Sequence, residues 1–276
     1  MQNIIPVFLL IILVFAAASC KAISTKTYRI ETPLVEEQNS ITIALISDLH
    51  STIFGKDQTI LIDKIKNINP DLIILTGDIF DDAISMNGTQ LLLEGITGIS
   101  PVYYVTGNHE YGSGNIQAIR EELASYGVII LSDNYAIIEI NNNKIIIAGI
   151  EDPAKKIRET PDYDQNDSME RAFRELDEIA LFKILAAHRP ETIETYKKYS
   201  FDLVLSGHTH GGQVRIPLIL NGLYAPNQGF FPKYAGGIYT HGNLTHIISR
   251  GLSIKPGLPR IFNPPELVII IIEPDK

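Results

Sequence analysis

Cysteine is nearly absent: Cys20 is the single one among 276 residues. An intramolecular disulfide is therefore excluded, as is a soft thiolate cluster, which leaves nitrogen and oxygen side chains as ligands for any metal. Basic residues are also scarce, with 23 Lys and Arg against 32 Asp and Glu and a net charge of -9. Binding along a nucleic-acid backbone rests on clustered Lys and Arg, so no such footprint is expected and any recognition of phosphate must be local. No low-complexity tract or internal repeat interrupts the chain, and the charged fraction of 20% is ordinary, so the body reads as globular.

Residues 1–20 lack any charged side chain, and Ile4 to Ser19 form one apolar run ending in Ala16, Ala17, Ala18 and Ser19. This pattern reads as a signal peptide or membrane anchor, although about 16 apolar residues fall short of the roughly 20 that span a bilayer as a helix. Two readings stay open. Cys20 after Ala-Ala-Ser resembles the lipidated cysteine of a bacterial lipoprotein, which predicts export with a lipid anchor. Lys21, Lys26 and Arg29 just after the run favour instead an uncleaved anchor with the domain in the cytoplasm. Either way the domain is expected at a membrane. Residues 21–40 read as a tether, and residues 41–273 as one domain, the chain beyond the leader being long enough for a substantial core.

Short β-branched runs at 41–47, 71–76, 102–106, 183–187 and 202–206 alternate with amphipathic stretches at 57–69, 89–98, 114–126 and 190–199, an α/β pattern of buried strands flanked by helices. A second set at 128–131, 135–140, 144–149, 241–249 and 266–272 has few helices between its members and predicts antiparallel strands in a second sheet. The first set is the informative one, because ligand-type residues follow every member. Asp48 and His50 follow the first strand, Asp78 the second, Asn108 and His109 the third, His188 the fourth, and His208 and His210 the fifth. Ligands of α/β sheets bind outside the carboxyl ends of strands, so these loops are expected to converge on one crevice. Asp48 with His50, and His208 with His210, stand two residues apart; in extended backbone each pair would face one metal.

Singly, each residue admits a structural reading. A histidine after a strand is often just a satisfied polar group, Asp78 suits a helix N-cap, Asn108 suits a turn with positive φ, and Gly211-Gly212 suits chain reversal. Five strand ends all carrying ligand types are hard to obtain from packing alone. His241 and His246 fall outside the pattern and read as structural or solvent-facing, and Glu151-Asp152-Pro153 reads as a turn with carboxylates at the crevice rim.

The blocks Asp48-Leu-His50, Gly77-Asp78-Ile-Phe-Asp81, Gly107-Asn108-His109-Glu110, Ala187-His188 and Gly207-His208-Thr-His210-Gly-Gly-Gln213 resemble, in order, the calcineurin-like metallophosphoesterase superfamily. With Gly149-Ile-Glu-Asp-Pro153 and Pro264-Pro-Glu266-Leu they look most like the YkuE and YaeI branch of membrane-associated phosphodiesterases, and are similar to UDP-2,3-diacylglucosamine pyrophosphatase-like enzymes. The resemblance implies a four-layer αββα sandwich, two mixed β-sheets flanked by helices. It implies two divalent ions (Mn, Fe, Zn or Co), one on Asp48, His50 and His210, the other on Asn108, His188 and His208, with Asp78 bridging. It places His109 beside them as the acid or phosphate contact, with Asp81 and Glu110 orienting ligands or His109. The fourth block departs from the branch at Arg189, which reads as a substrate contact or a helix cap.

Two divalent ions against two carboxylates leave a positive site, which suits an anionic phosphate ester. The expected activity is a phosphodiesterase or pyrophosphatase on a phospholipid or nucleotide-linked lipid. The alternatives are a phosphomonoesterase on soluble nucleotides or phosphoproteins, and a membrane-tethered metal-binding protein without catalysis. A metallo-β-lactamase type is excluded, because no compact His-x-His-x-Asp-His cluster is present. The stretch 211–238 holds Leu218, Leu220, Leu223, Tyr224, Phe230, Phe231 and Tyr234 and reads as core packing beneath a cap. Were it exposed, it would suit acyl chains, with Arg215, Lys233, Lys255 and Arg260 as phosphate contacts.

Overall fold

The apolar runs become strands whose alternate residues face two different neighbours. The computed structural model describes residues 21–36, 39–254 and 259–275. The leader, including Cys20, and Lys255 lie outside them. One six-stranded sheet contains β1 (Ser24–Thr32), β2 (Ile41–Ile46), β3 (Leu72–Thr76), β4 (Val102–Val105), β5 (Ile129–Ile130) and, closing the chain, β14 (Glu266–Pro274), in the order β1-β14-β2-β3-β4-β5. The other contains β6 (Asn134–Ile140), β7 (Asn143–Gly149), β8 (Phe182–Ala186), β9 (Leu203–Ser206), β12 (Gly237–His241) and β13 (Leu244–Ile248), in the order β12-β13-β9-β8-β7-β6; β10 (Tyr224–Ala225) and β11 (Gly229–Phe230) form a small hairpin.

Along β2, Ile41, Ile43 and Leu45 pack against Ile145, Ile184 and Leu205 of the other sheet, whereas Ala44 and Ile46 turn the opposite way. They meet α1 (Thr59–Ile68) and α2 (Asn87–Ile96) through Leu61, Ile65, Leu92 and Ile96. On the far side, Ile146, Leu185 and Val204 meet Met169 and Phe173 of a helix over Gln165–Phe173 and Ile193 and Tyr196 of the turn Ile193–Tyr196. The layers are therefore helices, sheet, sheet, helices, the expected sandwich. Each fully buried Ile or Leu in them contributes roughly 1.5–3 kcal/mol of transfer free energy.

The division of strands between sheets differs from the sequence reading. β8 and β9 belong to the second sheet, paired in parallel with β7 and β13, while β5 and β14 belong to the first. Antiparallel pairing in the second sheet is confined to β6 with β7 and β12 with β13. A run buried on both faces encodes burial and carries no mark of its partner. The stretch read as a tether holds β1, which pairs in parallel with β14 over its whole length. Its Thr25, Lys26, Thr27, Arg29 and Glu31 face outward on an edge strand, which gives it the composition of a linker. The helix over Gln165–Phe173 was also unread, although Asp164 caps it by accepting from Asn166 and Asp167 N–H, and Met169 and Phe173 are four apart.

Candidate metal centre

The carboxyl ends of β2, β3 and β4 in one sheet and of β8 and β9 in the other meet along one rim, so the convergence takes place between sheets. Asp48, His50, Asp78, His208 and His210 all adopt positive φ, between 48° and 68°. Their side chains are thus aimed by left-handed turns rather than by extended i, i+2 pairs, at a backbone cost that recurs in functional sites. Glycines permit the close approach. A Cβ on Gly107 would collide with the Asp78 carboxylate, and one on Gly207 with Ser47 Oγ and Asp48 Oδ2.

Two groups of potential ligand atoms share Asp78: Asp48, His50, Asp78 and His210 form one, and Asp78, His188 and His208 the other, each with ligand atoms within 4.8 Å of one another. Asp78 Oδ2 lies 3.7 Å from His50 Nε2 and 3.2 Å from His188 Nε2, while Oδ1 accepts the His109 backbone N–H at 2.8 Å. His210 Nε2 is 3.6 Å from Asp48 Oδ1 and 3.4 Å from His50 Nε2. Asp48 and His50 do share one group, but His208 and His210 divide between the two. Left-handed backbone at both breaks the alternation assumed for that pair.

The remaining ring atoms fix three of the four imidazoles. His50 Nδ1–H donates to Asp81 Oδ2 at 2.9 Å, His188 Nδ1–H to the Thr76 carbonyl at 2.7 Å, and His208 Nε2–H to Asn227 Oδ1 at 2.9 Å. His188 Nε2 and His208 Nδ1 face each other at 3.2 Å, so once His188 gives up its Nε2 proton both nitrogens can serve one cation. Asn108 Oδ1, on the residue before His109, is buried with no hydrogen-bond partner. An orphaned carbonyl oxygen and facing imidazole nitrogens are the donor set of a borderline divalent cation, so the residues fit the metals the sequence suggests. Asp81→Ala, which frees the His50 ring, is expected to weaken cation affinity about 10- to 100-fold. Competition with a fluorescent chelator checks this, and wild-type affinity would remove the orienting role.

Glu110 organises two of the loops, accepting backbone N–H from Asp78, Ile79, Phe80 and Gly107; burial, then the Asp78 charge, pushes its carboxyl up to about 7. The partner of His109 is Asp82, whose Oδ1 lies 3.0 Å from His109 Nδ1. Sequence reasoning missed it beside Asp81, the doublet being the available signal. Glu151 is fully buried and accepts from Thr106, Tyr111, Ser132 and Arg120, holding the third block against β7. Asp152 both closes a turn onto Ala154 N–H and binds the Arg189 guanidinium in a bidentate pair at 2.7 and 3.0 Å. Arg189 stands at the N-cap of the short helix Pro190–Thr192, but its side chain makes no cap hydrogen bond; it donates to Asn227 Oδ1 at 2.9 Å and is engaged behind His208. His246 is buried against Ser206 Oγ, and His241 is half-buried beside it.

A cleft of about 300 Å³ opens over this group, lined by His109, His210, Gln213, Tyr224, Pro226 and Arg260. Arg260 donates to three backbone carbonyls, of Ser253, Arg250 and Gly251. Arg215 lies elsewhere, in a shallow depression with Leu218, Ile219 and Leu220, and Lys233 sits over the Tyr234 ring. The 211–238 stretch is not buried as expected. Tyr234 and Ala225 pack inward, but Leu218, Phe230 and Phe231 are exposed, because tight hydrogen bonds such as Leu223 N–H to Gly212 O hold their short turns away from the sheets.

Without cations the site is a charge pair under burial. Burial lowers His188, but Asp78 and then Asp48 hold its imidazolium up to about 10. Burial raises Asp78, but His188 and then His50 hold it well below the usual carboxylate range. Burial and the neighbouring His188 push His208 down to about 3. Because His188 is raised above its ordinary 6.5, its protonation stabilises the cation-stripped fold fully below that value, a contribution lost as pH rises through about 10. A cation competes for the same nitrogen, so affinity is expected to increase with pH in that window, with about one proton released at pH 7. Calorimetric titration of Mn(II) into chelator-treated protein, in buffers of different ionisation heat, measures it; no proton release would contradict the pairing.

A family model described as calcineurin-like phosphoesterase matches residues 41–212. The chain is 30% identical over 204 residues to the uncharacterized protein YpbG of Bacillus subtilis, covering 72% of each. It is 27% identical over 259 residues to the uncharacterized metallophosphoesterase YkuE of the same organism, covering 91% of this chain and 86% of that one. It is 28% identical over 206 residues to phosphodiesterase YaeI of Escherichia coli, covering 73% and 70%.

Proposed function

Because the chain belongs to the calcineurin-like phosphoesterase family, a family of hydrolases acting on phosphoester bonds, we propose that it hydrolyses phosphodiesters, or pyrophosphate links, with two divalent cations held by Asp48, His50, Asp78, Asn108, His188, His208 and His210. The observation that carries this reading is the pair of ligand groups joined by the single carboxylate Asp78. Bound there, divalent cations supply Lewis-acid charge to the phosphoryl oxygens and acidify a water toward the nucleophile. The protein contributes the rest. Asp81, the Thr76 carbonyl and Asn227 hold three imidazoles with their ligand nitrogens turned inward. His109 lines the cleft with Nδ1 on Asp82; with the ring protonated at both nitrogens, the Nε2 proton can go to the leaving alkoxide while Nδ1–H stays on Asp82. Arg260 adds positive charge to the same wall, which favours an anionic substrate.

A lipid-linked phosphate substrate at a membrane is supported by the apolar leader and by the exposed apolar side chains beside the cleft. Among the described residues no helix is long and apolar enough to cross a membrane. In this reading the apolar run of residues 4–19 supplies the attachment, through Cys20 or as an uncleaved anchor. The test is cation-dependent turnover of bis-p-nitrophenyl phosphate, of p-nitrophenyl phosphate and of a pyrophosphate-linked lipid by the full chain. Diester and lipid turnover above the monoester is expected. Monoester preference would move the reading to a phosphomonoesterase, and no turnover with any cation would end it.

A further inference from the structure

The chain enters the domain on the rim that bears the ligands. β14 is antiparallel to β2, with Val268 opposite Leu45, so its first residue lies at the ligand end of the sheet. β1 is parallel to β14 with Ser24 opposite Glu266, and Ser24 N–H donates to the Pro265 carbonyl at 2.8 Å. Ile23 is buried, which fixes the chain at that point. From Ile23 back to the apolar Ser19 end of the leader is at most about 14 Å of extended chain. Whatever apolar phase takes up residues 4–19 therefore lies close to this rim.

The rim also carries several of the apolar side chains that the fold leaves uncovered. Val214 bridges to Ile261 on the segment leading into β14, and the turn that follows exposes Leu218 completely and Ile219 to 82%. The β10–β11 hairpin exposes Phe230 and Phe231 to about 70% each, with Tyr224 and Phe230 in edge contact at 5.4 Å. Such protrusions are rare on a water-facing surface unless something covers them. The same hairpin supplies a wall of the cleft through Tyr224. Arg215 and Lys233 flank the two protrusions in sequence, and neither forms an ion pair with a carboxylate among the described residues.

We propose that this rim seats on a bilayer rich in anionic phospholipid: Leu218, Ile219, Phe230 and Phe231 enter the acyl boundary, Arg215 and Lys233 meet headgroup phosphates, and the cleft opens toward the headgroups. The occupant is the bilayer because the leader ends within reach of the same edge and because the flanking charges are basic in a chain that is acidic overall. This seating rests on the lipid-phosphate reading of the cleft and deepens it.

The chain contains no tryptophan, so Phe231→Trp and Leu218→Trp each place one reporter in the full protein. In vesicles of phosphatidylethanolamine and phosphatidylglycerol, both are expected to emit at shorter wavelength and to lose about half or more of their emission to lipids brominated high on the acyl chain, since interfacial segments sit roughly 5–10 Å deep. Ile137→Trp, on the edge strand β6 at the opposite side of the second sheet, is expected to keep its emission. Reporters quenched no more than this control, or shielded from lipid by concentration-dependent self-association, overturn the seating. Hydrolysis of bis-p-nitrophenyl phosphate in the same samples separates the two readings. Turnover with unquenched reporters defeats the seating alone, and quenched reporters without cation-dependent turnover uphold the seating while defeating the hydrolase reading.

Discussion

Asp78→Asn is expected to abolish cation-dependent hydrolysis, a loss on the order of 10⁴-fold, the scale on which removing one member of a catalytic unit acts. The side chain keeps its size and one acceptor oxygen, so Oδ1 can still receive the His109 backbone N–H. What disappears is the negative charge at the one oxygen that faces both His50 and His188. A loss of 10⁴ corresponds to about 5.5 kcal/mol, more than a single neutral hydrogen bond provides, and it is consistent only with failure of both halves of the site. Cation stoichiometry by chelator competition should fall in parallel, while circular dichroism should be unchanged. Activity within about tenfold of the parent, at saturating cation, would show that Asp78 does not join the two groups and would sink the scheme.

His109→Ala should separate binding from chemistry. The residue meets Asp78 through its backbone N–H, which alanine retains, so cation affinity is expected to stay at the parental level. The ring stands at the cleft with Asp82 on Nδ1, in edge contact with His50 at 4.5 Å between ring centres. A proton donor so placed contributes about 10²- to 10⁴-fold where the leaving group needs a proton. Alkyl diesters should therefore lose that much, and p-nitrophenyl esters, whose leaving group is stable as an anion, much less. Uniform losses across leaving groups would reassign His109 to binding the phosphoryl oxygens.

Much of the site could be read before any coordinates, because each ligand sits immediately after an apolar run and a strand end is a local feature. The convergence of Asp48, Asp78 and His188 needed only the run before each of them. For His208 and His210 spacing alone misleads, whereas the family resemblance already divides them between two ions. Two residues apart in extended backbone point together, but φ values of 68° and 48° send these two to different groups. Groups behind the ligands were harder still. Asn227 stands 19 residues from His208, and Asp152 stands 37 from Arg189, with no spacing rule to link them. Asp82 carried a faint signal as the second member of an acidic doublet, and the exposed hairpin at Phe230 none, since large apolar side chains ordinarily predict burial.

By itself the sequence determined the chemical types of the candidate ligands, their order and the class of fold, since these follow from periodicity and from residues adjacent in the chain. Tertiary structure decided which strands share a sheet, which imidazoles face the same oxygen of Asp78, and which apolar side chains stay in water. Those outcomes depend on contacts between residues up to about 240 positions apart: Ser24 meets Glu266 only when β1 and β14 pair within the first sheet, and His50 meets His210 only when the two sheets close on each other.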